Sequence, residues 1–172
     1  MPQVVLVHPQ IPPNTGNIAR TCAATQTPLH LVGPLGFEIS DRALKRAGLD
    51  YWPFVPLTEH VDWDAFAAHR DRQGGRCIGF STGGTVGYHD FGFRDDDWLL
   101  FGSETQGLPA DVLAACDATT YIPMDCAGVR SLNLSVSVAI GLFEAYRQLG
   151  ALPSFSGPRA RFIPTKETEA SP

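Results

Sequence analysis

Short apolar runs recur along the chain, separated by turn residues and by segments with apolar positions at helical spacing. Runs of this length predict strands, and their lack of polar alternation is typical of a sheet that is covered on both faces. We expect strands at residues 3–7, 29–32, 54–57, 76–80, 98–101 and 119–122.

The segments between these runs predict helices. The first covers residues 14–26 and has Asn14 as its cap. Further helices are expected at residues 42–47, 61–70, 109–116 and 133–149. Alternating strands and helices predict an α/β fold in which helices cover both faces of a mostly parallel sheet.

The last predicted helix is apolar over most of its circumference, whereas a surface helix needs only one apolar stripe. This excess indicates a second buried face, which would be either a dimer interface or a contact inside the same chain. The apolar residues are Leu134, Val136, Val138, Ala139, Ile140, Leu142, Phe143, Tyr146 and Leu149.

Length and composition are those of one domain. The chain has 172 residues, of which 44% are hydrophobic, and this is enough for a single core. We place the domain at residues 1–150 and predict a flexible tail at 151–172, where Pro, Ser, Gly and charged residues predominate. The sequence shows neither a secretion signal nor a membrane-spanning apolar stretch, so we expect a soluble, cytoplasmic protein.

Cysteine content and charge narrow the classes of function. The four cysteines form no Cys-x-x-Cys pair, so the sequence predicts no zinc site or redox dithiol, and we expect no metal. The net charge of −5 argues against indiscriminate nucleic-acid binding, which depends on Lys and Arg. A local basic site could still form from Arg20, Arg42, Lys45, Arg46 and Arg130.

Residues 79–83 (Gly-Phe-Ser-Thr-Gly) match the nucleophile elbow of α/β-hydrolases. That fold places an acid and then a histidine after the serine, yet no acid lies between Ser81 and His89, which is the last histidine of the chain. The elbow also requires a helix directly after it, whereas the glycines of residues 83–87 favour an open loop. The hydrolase interpretation is therefore disfavoured.

Three loops rich in glycine or serine follow late predicted strands, at residues 81–84, 102–107 and 128–133. Ligands of parallel sheets bind at the carboxyl ends of the strands, so these loops could together form a pocket for a nucleoside-bearing ligand. The sequence lacks both the Gly-Lys-Ser/Thr of a P-loop and a Gly-x-Gly-x-x-Gly after the first strand. An NTPase and a dinucleotide-dependent enzyme are therefore disfavoured.

Several segments resemble, in order, the three motifs of the SPOUT methyltransferases. The first is residues 12–20 (PPNTGNIAR), the second is residues 101–109 (FGSETQGLP), and the third combines residues 122–124 (IPM) and 130–135 (RSLNLS). The chain is most similar to a small branch without extra domains, the tRNA (cytidine/uridine-34-2'-O)-methyltransferases, which residues 46–51 (RAGLDY) and 144–150 (EAYRQLG) also resemble. The resemblance covers residues 3–150.

This resemblance implies a deep trefoil knot in the C-terminal half and S-adenosylmethionine as the cofactor. It implies methyl transfer to the ribose 2'-hydroxyl of the wobble nucleotide, cytidine or uridine 34, in tRNA. A homodimer would grip the anticodon stem-loop, because one short chain has little basic surface. The implied cofactor-binding residues are Phe80, Gly102, Glu104, Gly107, Ile122, Ser131, Leu132 and Asn133, and the implied RNA-binding residues are Arg20, Arg46 and Arg130.

Asn17 and Arg20 are the predicted catalytic residues, and their spacing puts them on one face of the first helix. The resemblance implies that Arg20 contacts the reacting ribose or an adjacent phosphate. Because a guanidinium rarely gives up its proton, we expect Arg20 to orient the hydroxyl and to stabilise developing oxyanion charge. Glu104 would fix its own loop by accepting backbone hydrogen bonds, and Ser131 and Asn133 could also cap the last helix.

Two positions depart from the pattern of this branch. Phe143 replaces a tyrosine whose hydroxyl Tyr146 could supply instead, and Gly83 replaces a lysine that would contact phosphate. Two other functions are compatible with the motifs, namely methylation of another RNA site and RNA binding without catalysis. The intact glycines of residues 102–107, together with Arg20, argue against the second alternative.

Overall fold

The computed structural model describes residues 1–38 and 51–152. Within these residues, the centre of the fold is a seven-stranded sheet whose paired strands are all parallel. The order across the sheet is β3-β2-β1-β6-β4-β7-β5. The strands are β1 (Gln3–Val7), β2 (Leu29–Val32), β3 (Leu57–His60), β4 (Cys77–Phe80), β5 (Val86–Gly87), β6 (Trp98–Phe101) and β7 (Ala118–Tyr121).

Helices cover both faces of this sheet, as predicted. They are α1 (Pro12–Thr25), α2 (Trp63–Gln73), α3 (Ala110–Ala114) and α4 (Leu134–Gln148), with a 3-10 turn at Trp52–Phe54. One apolar cluster packs α1 and α4 against the sheet, and a second cluster packs α2 and α3 against the opposite face. None of the described helices is long and apolar enough to cross a membrane.

The strand order determines which loops meet. Strands β6, β4 and β7 are direct neighbours, and Phe80 of β4 lies opposite Phe101 of β6 and Thr120 of β7. Because the strands are parallel, the loops that follow them leave the sheet at the same edge. The three glycine- and serine-rich loops of the sequence are therefore brought to one edge of the sheet.

The prediction of a strand at residues 54–57 is wrong. The chain forms a 3-10 turn there, in which the Phe54 amide donates to the Tyr51 carbonyl at 2.9 Å. The Pro56 carbonyl accepts from the Leu29 amide at 2.9 Å, but Pro56 has no N–H to donate in return, and the residue pairs with β2 begin at Leu57. The two-residue strand β5 was not predicted, because two residues carry no detectable period.

The predicted cap of the first helix is also wrong. The N-cap is Ile11, which has no side-chain cap, and Asn14 lies inside the first turn. In contrast, α2 has a local cap, because the Asp62 carboxylate accepts from the Ala65 amide at 2.8 Å, and this helix therefore begins at Trp63 rather than at residue 61. The predicted helix at residues 42–47 and the tail beyond residue 152 lie outside the described residues.

Helix α4 buries one face and exposes the other. Val138, Leu142 and Ala145 are fully buried, whereas Val136 and Phe143 are 47% and 43% exposed. The apolar excess of this helix is thus not covered by the described part of the chain. The Tyr146 hydroxyl lies 2.6 Å from the Thr27 hydroxyl in the interior, so the suggestion that it replaces a hydroxyl at position 143 is wrong.

Three histidines, one each from β2, β3 and α2, form a cluster. The rings of His30, His60 and His69 lie 5.1 to 5.5 Å apart. His30 is 3% exposed, and its Nε2 donates to Gln3 Oε1 at 3.0 Å, so its Nδ1 accepts from His60 Nε2 at 3.0 Å. Burial, reinforced by the neighbouring imidazoles, lowers the pKa of His30 to about 3, and the pKa of His60 is lowered for the same reasons.

We expect this cluster to make stability pH-dependent. The pKa of His30 is lower in the folded state than the ordinary 6.5, so the unfolded chain binds more protons between pH 6.5 and about 3. The contribution of His30 to the free energy of unfolding is therefore fully present above pH 6.5, and it falls on acidification by up to about 1.4 kcal/mol per pH unit. Urea unfolding at pH 7.5, 6.5, 5.5 and 5.0 measures the slope while most carboxyl groups are still ionised.

The variant His30→Gln should flatten this slope, even if it is less stable throughout. His89→Gln is the matched control, because the side chain of His89 is 51% exposed. An unchanged slope in His30→Gln would contradict the assignment.

Candidate functional site

A cavity of about 900 Å³ lies at the carboxyl ends of β4, β6 and β7. The loops after these strands and the starts of α1 and α4 form its wall. Its lining includes all eight residues predicted to bind the cofactor: Phe80, Gly102, Glu104, Gly107, Ile122, Ser131, Leu132 and Asn133. Arg130 also lines it and is exposed.

The cavity wall combines an apolar surface with scattered polar groups. Apolar side chains come from strand ends, loops and helices, and the hydroxyl groups come from the loops and from α4. The apolar residues are Ile11, Phe80, Phe101, Leu108, Leu113, Ile122, Met124, Leu132 and Leu134, and the hydroxyl residues are Ser81, Thr82, Ser103, Thr105, Ser131 and Ser137. This size and composition are typical of a pocket for a nucleoside-sized ligand.

The loop after β6 folds back on itself. The Ser103 amide donates to the Gly107 carbonyl at 3.1 Å, and the Gly107 amide donates to the Ser103 carbonyl at 2.9 Å. Gly107 has a φ of 73°, and a Cβ on Gly102 would collide with the backbone of Gly107 and Leu108. Both glycines are thus required by the loop itself, whatever they contact in the cavity.

Glu104 connects this loop to α1. Its Oε2 accepts from the Gln10 amide at 2.9 Å, and its Oε1 accepts from the Ile11 amide at 3.2 Å and from Asn14 Nδ2 at 3.0 Å. Its backbone partners therefore belong to the β1–α1 connection, and the prediction that Glu104 accepts backbone hydrogen bonds from its own loop is wrong. The first turn of α1 has no acidic residue, so Glu104 provides the negative charge at the positive end of that helix.

Asn14 extends the connection to α4. Its Oδ1 accepts from Asn133 Nδ2 at 3.0 Å, while Asn133 Oδ1 accepts from the Ser135 amide at 2.9 Å and from the Ser135 hydroxyl at 2.7 Å. Asn133 is thus the N-cap of α4, and Ser131 is not. Sequence reasoning missed this role of Asn14, because only the structure shows that Asn14 is 7% exposed and that its partners are distant in the sequence.

Asn17 and Arg20 lie on the exposed face of α1, beyond the cavity wall. The Arg20 guanidinium carbon lies 4.7 Å from the ring centroid of Tyr51, and the Tyr51 hydroxyl donates to the Gly16 carbonyl at 2.7 Å. Within residues 1–38 and 51–152, no salt bridge involves Arg20. The predicted RNA-binding residue Arg46 lies outside the described residues.

The structure argues against a hydrolase. The Gly83 amide donates to the Ser81 hydroxyl at 3.2 Å in a turn that leads to β5, so no helix follows the serine. His89 is exposed and lies beside Asp90, with 3.4 Å between His89 Nε2 and Asp90 Oδ2. In the part of the chain that the structure describes, no group of three or more His, Cys, Asp or Glu residues could hold a metal ion.

Three of the four cysteines have raised pKa values, and of these Cys22 and Cys77 are buried and Cys116 is half-buried. Burial raises the pKa of Cys22 to about 12, that of Cys77 to about 11 and that of Cys116 to about 12. Thiols with such pKa values are protonated at neutral pH and therefore unreactive. Their side chains serve the packing of α1, β4 and the segment after α3.

Two full-length relatives are similar to this chain. A protein of Synechocystis sp. is 59% identical over 152 residues, which are 88% of this chain and 99% of that protein. The tRNA (cytidine(34)-2'-O)-methyltransferase of Burkholderia ambifaria is 50% identical over 149 residues, 86% of this chain and 95% of that enzyme.

Solved structures are similar as well. One concerns the 2-OH methylation of C/U34 on tRNA, and it matches with a TM-score of 0.81 and 51% identity over 87% of this chain and 97% of that one. The AdoMet-bound rRNA methyltransferase from Sinorhizobium meliloti matches with a TM-score of 0.77 and 28% identity, over 86% of this chain and 56% of that one. A model of the SpoU rRNA Methylase family matches residues 1–143. The chain therefore belongs to the SpoU methylase family.

Proposed function

We propose that this protein transfers the methyl group of S-adenosylmethionine to the ribose 2'-hydroxyl of cytidine or uridine 34 in tRNA. The observation that carries the proposal is the convergence of three separate loops on one cavity of about 900 Å³. The tRNA (cytidine(34)-2'-O)-methyltransferase of Burkholderia ambifaria, 50% identical over 95% of its length, and the solved structure that concerns C/U34 methylation, 51% identical, support the choice of reaction and of nucleotide.

The cavity suits S-adenosylmethionine by its chemistry. Phe80 and Ile122 offer apolar surface for the adenine ring, while the glycine-lined loop of residues 102–107 and Ser131 offer backbone and hydroxyl groups for the ribose and the amino acid part. S-adenosylmethionine supplies the electrophilic methyl group on its sulfonium, so the protein has to provide position rather than covalent chemistry. In this proposal Gly102, Gly107, Leu132 and Asn133 contribute to the same wall.

Arg20 and Asn17 would act on the RNA side of the reaction. Both are exposed on the face of α1 that continues beyond Asn14, which lines the cavity. The guanidinium of Arg20 orients the 2'-hydroxyl or the neighbouring phosphate and stabilises negative charge on the attacking oxygen. Asn17 adds a neutral donor and acceptor one turn earlier, and Arg130 at the cavity wall contacts the RNA backbone.

A homodimer would complete the RNA-binding surface. Val136 and Phe143 are exposed on α4 together with the half-buried Ile140, and spacings of four and three residues place these three on one stripe. A second copy of the chain on this stripe would bury it and double the number of arginines available to the anticodon stem-loop. A cytoplasmic location, a C-terminal trefoil knot, RNA contacts by Arg46 and a flexible tail belong to the same proposal.

We expect purified protein to transfer labelled methyl to a tRNA with cytidine or uridine 34, and nuclease mapping to place the label on that ribose. The same tRNA with 2'-deoxynucleotide 34 should stay unlabelled, because the acceptor oxygen is missing. Label at another position would redirect the proposal to another RNA site.

We expect Arg20→Ala to lower the rate by about 100-fold or more, as for loss of one oxyanion-stabilising donor, with unchanged circular dichroism. Normal turnover of Arg20→Ala would exclude the role of Arg20.

We expect Glu104→Gln to lose stability and cofactor affinity together. The amide keeps one acceptor oxygen and turns its N–H groups toward donors, at a cost of about 1–3 kcal/mol. Urea unfolding and calorimetry with S-adenosylmethionine measure the two effects, and Glu59→Gln on the exposed edge strand is the matched control. Weaker binding at unchanged stability would instead mean that Glu104 contacts the cofactor directly, and no effect on either quantity would contradict both roles.

We expect Phe143→Glu to convert a dimer into a monomer, because a charge buried in an apolar interface is strongly unfavourable. Light scattering after size-exclusion chromatography gives the mass directly. Val61→Glu is the control, since Val61 is 79% exposed and lies in the turn between β3 and α2. A wild-type monomer, or an unchanged mass of Phe143→Glu, would contradict the proposed interface.

A further inference from the structure

We propose that Tyr51 is a positioning residue for Arg20, whose guanidinium it holds over its ring for contact with the ribose or phosphate. The inference rests on the proposed function, because it deepens the role given to Arg20. Tyr51 neither lines the cavity nor needs to contact the RNA to act in this way.

The contact between the two side chains has the geometry of a cation–π interaction. The guanidinium carbon of Arg20 lies 4.7 Å from the centroid of the Tyr51 ring. This distance is within the range of about 6 Å over which the negative face of an aromatic ring attracts a cation. Arg20 has a long, flexible side chain, so a contact that selects one of its rotamers lowers the entropy lost when substrate binds.

Tyr51 is itself fixed to the helix that carries Arg20. Its hydroxyl donates to the Gly16 carbonyl at 2.7 Å. In an α-helix, this carbonyl also accepts from the amide four residues later, which is that of Arg20. The ring of Tyr51 therefore spans one helical turn, from its hydrogen bond at Gly16 to the guanidinium at Arg20.

The other side of Tyr51 is held by the core. Tyr51 is half-buried and packs, together with Trp52, against the apolar cluster that contains α1 and α4. Its carbonyl accepts from the Phe54 amide at 2.9 Å, and the 3-10 turn that follows is stiffened by Pro53. The ring is thus a rigid support against which the guanidinium rests.

Stacking of this kind leaves the chemistry of Arg20 available. The guanidinium carbon lies over the ring at 4.7 Å, and a guanidinium held over a ring keeps its five N–H donors for ribose or phosphate oxygens. Tyr51 would therefore affect the rate of methyl transfer and leave the binding of S-adenosylmethionine unchanged. If Tyr51 only stabilised the fold, its loss would affect the rate of methyl transfer and the binding of S-adenosylmethionine together.

The first test compares Tyr51→Leu with Tyr51→Phe in single-turnover reactions with excess enzyme. Loss of the ring should lower the rate about 5- to 30-fold, the range expected for a cation–π contact. Tyr51→Phe loses the bond to Gly16 but keeps the ring and its packing in the core, so its rate should stay within about threefold of wild type. The dissociation constant of S-adenosylmethionine should change less than about twofold in both. Tyr88→Leu is the matched control, because Tyr88 is also half-buried and packs against the same apolar cluster.

The second test places Tyr51→Leu in the Arg20→Ala background, where it should have little further effect on the rate. An equal effect of Tyr51→Leu in both backgrounds, or a normal rate of Tyr51→Leu alone, would overturn the proposal. If Tyr51→Leu does not fold, fluorinated phenylalanines in place of Tyr51 keep the shape and weaken the negative face of the ring. The rate should then fall with each added fluorine, and a constant rate would overturn the proposal. Absence of methyl transfer by the wild type would refute the proposed function instead.

Discussion

The cavity depends on one carboxylate and the three hydrogen bonds that it accepts. Glu104 accepts from the Gln10 and Ile11 amides and from the Asn14 side chain, which lie 90 to 94 positions earlier in the sequence. Hydrogen bonds to an ionised acceptor are stronger than neutral ones, and here they also satisfy donors at a helix start that has no cap of its own. Asn14 in turn accepts from Asn133 at the start of α4. Hydrogen bonds thus join the β1–α1 connection, the loop after β6 and the start of α4 into one structure, which we call the rim of the cavity.

This arrangement explains why α1 can serve two purposes. Its first turn is part of the rim through Asn14, while Asn17 and Arg20 lie about 4.5 Å and 9 Å further along the axis at the rise of an α-helix. Fixing the first turn therefore also fixes the direction in which the exposed face extends from the cavity. Tyr51 provides the remaining constraint, since the backbone of a helix does not determine the rotamer of a long side chain at its surface.

Patterns among neighbouring residues in the sequence predicted most of the fold, but they did not predict the hydrogen bonds of the rim. The buried strands and the Asn133 cap depend on neighbouring residues, so periodicity and capping rules predicted them. Asn14 was predicted to be a cap because the sequence cannot show that a glutamate 90 positions later takes over that task. The strand expected at residues 54–57 does not form, because the prolines in and before this segment favour a turn more than its apolar residues favour a strand. The contact of Arg20 with Tyr51 could not be predicted, because the two residues are too far apart in the sequence to belong to one periodic pattern.

Helix α4 connects the rim to the surface that we propose for dimerisation. Its cap, Asn133, is bonded to Asn14, while Val138 and Leu142 are fully buried against the sheet. Phe143, on the exposed side, is therefore attached to the same stiff rod of 15 residues as the cap. The surface proposed for dimerisation and the cap that is bonded to Asn14 therefore belong to one helix. In the proposed dimer, the partner would lie against the same helix whose cap closes the cavity wall, and it would add basic surface for RNA.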